Sequence, residues 1–164
     1  MQRNYPGGPR PTDVYFFATC LVDLFCPEAG MDAIRLLERE GIRVHFPENQ
    51  TCCGQPAYTS GYADEARAVA RVQLDLFPND WPVIVPSGSC AGMMRHHYPT
   101  LFAKDPVLRA KAEALSARTY ELTEFFVKVL KVNWKGSGSA KKVALHTSCS
   151  ARREMGTHLH AREL

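Results

Sequence analysis

Residues 14–20 read V-Y-F-F-A-T-C, an apolar, β-rich run that closes on a hydroxyl residue and a cysteine. Such a run is the signature of a short buried strand. The next stretch is helical. Pro27 suits the opening of a helix, because its fixed φ fits the first turn and its missing N–H is not needed there. Ala29, Ala33, Leu36 and Leu37 share one face of that helix, and Gly41 stops it. The alternation then repeats. Ile42 to Phe46 reads as a second strand, 62–77 as a helix with Ala66, Ala70, Leu74 and Phe77 on one side, and 82–85 (P-V-I-V) as a third, buried strand. A helix is expected from Ala91, two more over 106–117 and 121–130, and a fourth strand over 143–146 (V-A-L-H). Leu122, Phe125, Phe126 and Val129 make an apolar stripe on the last helix that reads most simply as core. Strands alternating with helices predict an α/β fold in three layers, a parallel sheet of about four strands with helices on both faces.

The cysteines fall where that topology matters. Cys20, Cys52, Cys53, Cys90 and Cys149 each come just after an expected strand. Ligands of parallel sheets bind beyond the carboxyl ends of the strands, so the fold gathers these residues along one edge. Adjacent Cys52 and Cys53 are poorly placed to bond to each other. With Gly54 permitting a sharp turn, both can direct thiolates at a metal or cluster. Cys20, Cys52, Cys53 and Cys90 together offer four soft donors, suited to an iron–sulfur cluster or to zinc. Helix starts near them would stabilise thiolate charge. Cys149 and His96 are further candidate ligands, with His97 beside His96. Cys26, just before Pro27, reads as a packed thiol, and buried small hydrophobes are the plain reading of any free cysteine. Gln55, Tyr58 and Ser60 follow the Cys-Cys-Gly turn, where loop packing explains them as well as contact with a substrate does. Gly88 is read, like Gly54, as turn-forming.

The bulk numbers bound the class. A chain of 164 residues with 45% hydrophobic residues suits one domain with a real core. A net charge of +3 without a basic block argues against nucleic acid as partner. Lys135, Lys141 and Lys142 sit in a Gly/Ser stretch and read as a solvated linker. No secretory signal is visible, and the apolar run 14–25 is broken by Asp23 and too short to span a bilayer. The expectation is a cytoplasmic chain without a transmembrane segment, where six cysteines point to metal or catalysis before disulfides. A second chemistry fits one motif. Gly88-Ser89-Cys90-Ala91-Gly92 matches a cysteine form of the nucleophile elbow, with His146 as a base, which would suit a cysteine hydrolase or thiol redox enzyme. That reading leaves Cys52-Cys53 unexplained.

At Cys20, at T-C-C-G-Q-P (51–56) and at S-G-S-C (87–90), the chain resembles the CCG cysteine-rich domain family. That domain occurs in heterodisulfide reductase, in the iron–sulfur subunit of glycolate oxidase and in the lactate-utilisation protein A family. The stretches T-C-L-V-D-L-F-C-P-E-A-G (19–30), F-P-E-N-Q-T-C-C-G-Q-P-A-Y (46–58) and V-P-S-G-S-C-A-G-M (85–93) are similar to the last of these. The resemblance runs over residues 13–155. It implies a component of a system oxidising L-lactate (glycolate being the alternative), passing electrons through a cysteine-ligated iron–sulfur centre as part of an oxidoreductase complex. The implied partners are other proteins of that system, including a ferredoxin-like iron–sulfur subunit. In the heterodisulfide reductase branch a cysteine, a Cys-Cys-Gly and a Cys-x-x-Cys hold a non-cubane cluster. Cys20, Cys52, Cys53 and Cys90 match, but Met93 stands at the last ligand position, and a thioether is a weaker iron ligand than a thiolate. A zinc-binding or metal-free assembly subunit is the alternative. Family members look like two such repeats in tandem, and V-A-L-H-T-S-C (143–149) echoes V-Y-F-F-A-T-C. The expected organisation is an N-terminal tail (1–12), a first CCG domain (13–132), a flexible linker (133–142) and the truncated start of a second repeat (143–164).

Overall fold

A computed structural model of the chain describes residues 9–134, 142 and 144–164. Its sheet has four strands, β1 (Asp13–Phe16), β2 (Arg43–His45), β3 (Val83–Val85) and β4 (Thr119–Glu121), in the order β2-β1-β3-β4. Every pairing is parallel, with Val14 opposite Val44, Phe16 opposite Ile84, and Ile84 opposite Tyr120. Strand side chains alternate between faces, and β1 shows the result. Tyr15 and Phe17 enter one core cluster with Val83, Val85, Ala66, Ala70 and Tyr98. Val14 and Phe16 enter another with Ile84, Leu37, Phe125 and Phe126. The three-layer α/β architecture is therefore present.

The helices are α1 (Cys20–Phe25), α2 (Pro27–Arg39), α3 (Gln55–Thr59), α4 (Ala63–Leu74) and α5 (Gly88–Gly92). α5 runs through a wide π turn (Met93–His97) into α6 (Tyr98–Leu101), and α7 (Pro106–Arg118) comes next. α8 (Leu122–Glu124) continues as a π-helical stretch, Phe125–Leu130. A further π segment (Ala151–Met155) leads into α9 (Thr157–Glu163). Proline opens α2 and α7, and the Asp105 carboxylate accepts from Val107 N and Leu108 N at the start of α7. Gly41 ends the α2 region at φ +78°, a left-handed backbone that glycine adopts without strain. The buried face of α2 is Gly30, Ala33 and Leu37, while Ala29 is exposed.

Three expectations need correction. The fourth strand is Thr119–Glu121, not 143–146: Val143 lies outside the described residues, and 144–146 carry no strand. β4 is held in the sheet by Arg95, whose buried guanidinium donates to Thr119 O from Nη2 at 2.6 Å and from Nε at 3.1 Å. Consequently Glu121 belongs to β4 and caps α8, accepting from Thr123 N and Glu124 N, instead of opening the helix itself. The helix expected from Ala91 starts three residues earlier, at Gly88. Glycines 88 and 92 let the Ala151–Met155 segment press onto α5. A Cβ on Gly88 would lie 2.5 Å from Ala151 Cβ and 2.9 Å from its Cα, and one on Gly92 would meet the Glu154 carboxylate. The expected linker centre, 136–139, lies outside the described residues. No helix among the described residues is long and apolar enough to cross a membrane.

Candidate metal centre

Parallel strands all end at one edge of the sheet, and the cysteines collect beyond it. β1 leads through Thr19 into Cys20 at the first residue of α1. Thr19 has φ +69°, which a β-branched residue adopts only under constraint, and so the chain turns abruptly just before the thiol. β2 leads through 46–51 to Cys52 and Cys53, and Gly54 then turns at φ +84° into α3. β3 leads to Cys90 inside α5.

The four thiols stand as two pairs. Cys20 Sγ lies 3.7 Å from Cys52 Sγ, half-buried. Cys53 and Cys90 are buried and share a thiol hydrogen bond. The pairs are within electrostatic reach of each other, since Cys20 feels Cys90 and Cys53 feels Cys52. Each sulfur also has a donor. Gly54 N is 3.5 Å from Cys52 Sγ, Leu21 and Gln55 offer backbone N–H groups to Cys20 and Cys53, and the Ser87 and Ser89 hydroxyls face Cys90.

Without a metal these sulfurs share too much potential negative charge to ionise together. The Cys53 thiol is pushed far up, first because it donates to Cys90 and then by burial. Cys90 is drawn down to about 7, chiefly by that same hydrogen bond, with Ser87 and Ser89 assisting. Cys20 is raised by burial and then by Cys52. No basic side chain is among the groups acting on the three. Four thiolates here would need a bound cation to offset their repulsion. Among the described residues no three His, Cys, Asp or Glu side chains converge tightly enough to grip a single ion. A mononuclear site needs all its donors about 2.0–2.3 Å from one atom.

The sequence pattern of the cysteine-rich domain (CCG) family matches residues 14–95, half of the chain. The protein belongs to the CCG cysteine-rich domain family. This CCG chain is 48% identical over 141 residues to lactate utilization protein A of Shouchella clausii, covering 86% of this chain and 59% of that protein. It is 48% identical over 143 residues to lactate utilization protein A of Geobacillus kaustophilus, covering 87% and 59%. Against lactate utilization protein A 2 of Bacillus cereus (strain Q1) it is 44% identical over 144 residues, covering 87% and 59%. The chain thus spans about three-fifths of the length of the curated relatives it matches. No solved structure matches it.

Of the other expected site residues, Met93 shares the core cluster of Cys53 and Cys90, and Cys26, Cys149, His96, His97 and His146 are at least partly exposed. Met93 is fully buried in the core. Cys26 is exposed between α1 and α2. Cys149 is exposed and lines a cleft of about 210 Å³ with Gln55, Tyr58, His97 and Arg153. His96 is exposed and acts electrostatically on Glu154, while His97 Nε2 is 3.2 Å from Glu154 Oε1. His146 is exposed and is not among the groups that shift Cys90.

Three residues that hold the site carry no signal in the sequence. Gln50 bridges two elements: its Oε1 accepts from Ala18 N at 3.0 Å, and its Nε2 donates to Phe16 O at 2.8 Å. It thereby ties the end of β1, which carries Cys20, to the loop that carries Cys52. Buried Gln73, on α4, donates from Nε2 to Thr51 Oγ1 at 2.5 Å. Tyr98, fully buried, donates its hydroxyl to Cys53 O at 2.9 Å.

Proposed function

We propose that Cys20, Cys52, Cys53 and Cys90 hold an iron–sulfur cluster and that the chain is an electron-transferring component of a lactate-oxidising system. One observation carries the reading: four thiols from separate segments stand as two pairs within electrostatic reach of each other, with N–H and O–H donors at the sulfurs and no basic side chain acting on Cys20, Cys53 or Cys90. Thiolates with N–H and O–H donors at sulfur are the ordinary environment of iron–sulfur clusters, and those donors help set the potential. When bound, the cluster would supply reversible one-electron transfer. The protein's own part is to deliver four thiolates, to exclude water from the Cys53–Cys90 side by burial, and to leave the Cys20–Cys52 side near solvent. Lactate as the fuel is supported by relatives named lactate utilization protein A. Other proteins of such a system, a ferredoxin-like iron–sulfur subunit among them, are the proposed partners. Residues 13–132 are proposed as one CCG domain, and 143–164 as the opening of a second.

Purification without oxygen, followed by iron, sulfide and zinc analysis and a visible spectrum, tests the reading. Iron and sulfide in comparable amounts, with broad charge-transfer absorption, are expected. A colourless protein holding stoichiometric zinc, or no metal at all, would favour an assembly subunit instead.

A further inference from the structure

The mouth of the thiol site is apolar and acidic. A cleft of about 310 Å³ opens on Cys20 and Cys52, lined also by Asp23, Leu24, Phe46, Glu48 and Gln50. Beside it runs α1, none of whose residues is buried. Leu21, Leu24 and Phe25 fall at i, i+3 and i+4, one helical face, and are 67%, 71% and 74% exposed. Phe46, across the cleft, is 46% exposed. α1 is seated from its other side, where Val22 Cγ1 lies 3.0 Å from the Cβ position of Gly30 on α2. The apolar face is therefore a held surface next to the thiols. Its rim has one sign. Asp23 and Glu48 line the cleft, Glu28 lies three residues past Phe25, and none of the three makes an ion pair among the described residues. No Lys or Arg lines the cleft, although the chain as a whole carries +3.

Contiguous exposed apolar surface with a charged rim marks a protein contact. Two carboxylates at the entrance repel a small organic anion such as a hydroxy acid and favour a cationic surface. We propose that α1 and the Phe46–Gln50 loop form the docking face for a redox protein whose own centre sits under an apolar edge ringed by lysines and arginines. Docking there brings the partner's centre against the Cys20–Cys52 side, where the buried half of the site cannot be reached. The inference deepens the electron-transfer reading and rests on it for its purpose, but the contact itself requires no bound cluster.

Cytochrome c, a small redox protein with a lysine-ringed haem edge, is the probe. Calorimetric titration into the full chain at low ionic strength is expected to show saturable binding that weakens as salt is raised. Asp23→Lys with Glu48→Lys should weaken it roughly tenfold or more. Leu24→Ser with Phe25→Ser should weaken it about as much while retaining the salt dependence. Glu65→Lys, a single charge reversal of the same kind at an exposed position of α4, should leave it unchanged. The proposal is overturned if wild type does not bind, if Glu65→Lys matters as much as the rim pair, or if sedimentation shows the face buried in a dimer that Phe25→Ser dissociates. Because binding is read without iron, a metal-free protein that still binds through this face would sink the cluster and spare the surface. An iron-loaded protein indifferent to these substitutions would do the reverse.

Discussion

Replacing Gln50 by alanine asks whether the thiol pair at the cleft is positioned or merely adjacent. The carboxamide makes two hydrogen bonds to the main chain of 16–18, and both are lost together. A net hydrogen bond contributes about 0.5–1.5 kcal/mol, and because Gln50 is only half-buried, water partly replaces it, so about 1–2 kcal/mol is expected. For a domain of this size each kcal/mol lowers the melting midpoint by about 2–4 °C, so a fall of about 2–8 °C is expected. Freed from the end of β1, the 46–51 loop should carry Cys52 away from Cys20, and iron content after anaerobic reconstitution should drop in parallel. Gln50→Glu separates the two bonds. Its carboxylate can still accept from Ala18 N but cannot donate to Phe16 O, and it should be at least as damaging as alanine. Thermal melts of the metal-free proteins and iron analysis of the reconstituted ones are the assays. A Gln50→Ala protein with unchanged melting and full iron would refute the positioning argument.

Gly88→Ala should destabilise by about 1–3 kcal/mol, because the new methyl meets Ala151 Cβ and Cα, backbone-anchored atoms that cannot swing aside; urea titration checks it, and Gly88→Ala with wild-type stability would show that the Ala151–Met155 segment is not packed on α5. Glu121 is held above its ordinary carboxyl range, first by burial. A carboxyl raised on folding binds its proton more readily folded than unfolded, so its contribution is full below about pH 4.5 and is lost as pH rises through the folded value. Glu121→Gln keeps a side-chain oxygen to accept from Thr123 N and Glu124 N without the charge, so its stability advantage over wild type should grow with pH across that window; a constant difference in urea midpoint would contradict this.

Much of the fold was legible because β1, β2 and β3 are apolar runs bounded by turn residues, and α2 and α4 show clear helical spacing. β4 was not. Thr119-Tyr120-Glu121 is three residues wedged between two helices, too short for any period, and its place in the sheet depends on Arg95 reaching it from a distant segment. V-A-L-H (143–146) had the better strand pattern, yet it is Thr119–Glu121 that pairs with β3, a pairing set by tertiary contacts and not by local propensity. The gathering of Cys20, Cys52, Cys53 and Cys90 was readable from topology, since parallel strands must end on one edge, but the same reasoning put Cys149 with them after a strand over 143–146, and Cys149 is instead exposed in a cleft with Gln55 and His97. Gln50, Gln73 and Tyr98 were not readable, because a loop glutamine, a helical glutamine and a core tyrosine look ordinary until their partners are known. Gly88 looked like a turn residue, whereas its missing Cβ makes room for Ala151, a contact that the sequence separation conceals.

Iron content in a set of single serine variants prepared without oxygen decides whether Cys20, Cys52, Cys53 and Cys90 hold the metal. Cys20→Ser, Cys52→Ser, Cys53→Ser and Cys90→Ser should each lose most of the iron while folding, and Cys26→Ser and Cys149→Ser should keep it. Full iron in the first four, or equal loss across all six, would contradict the account.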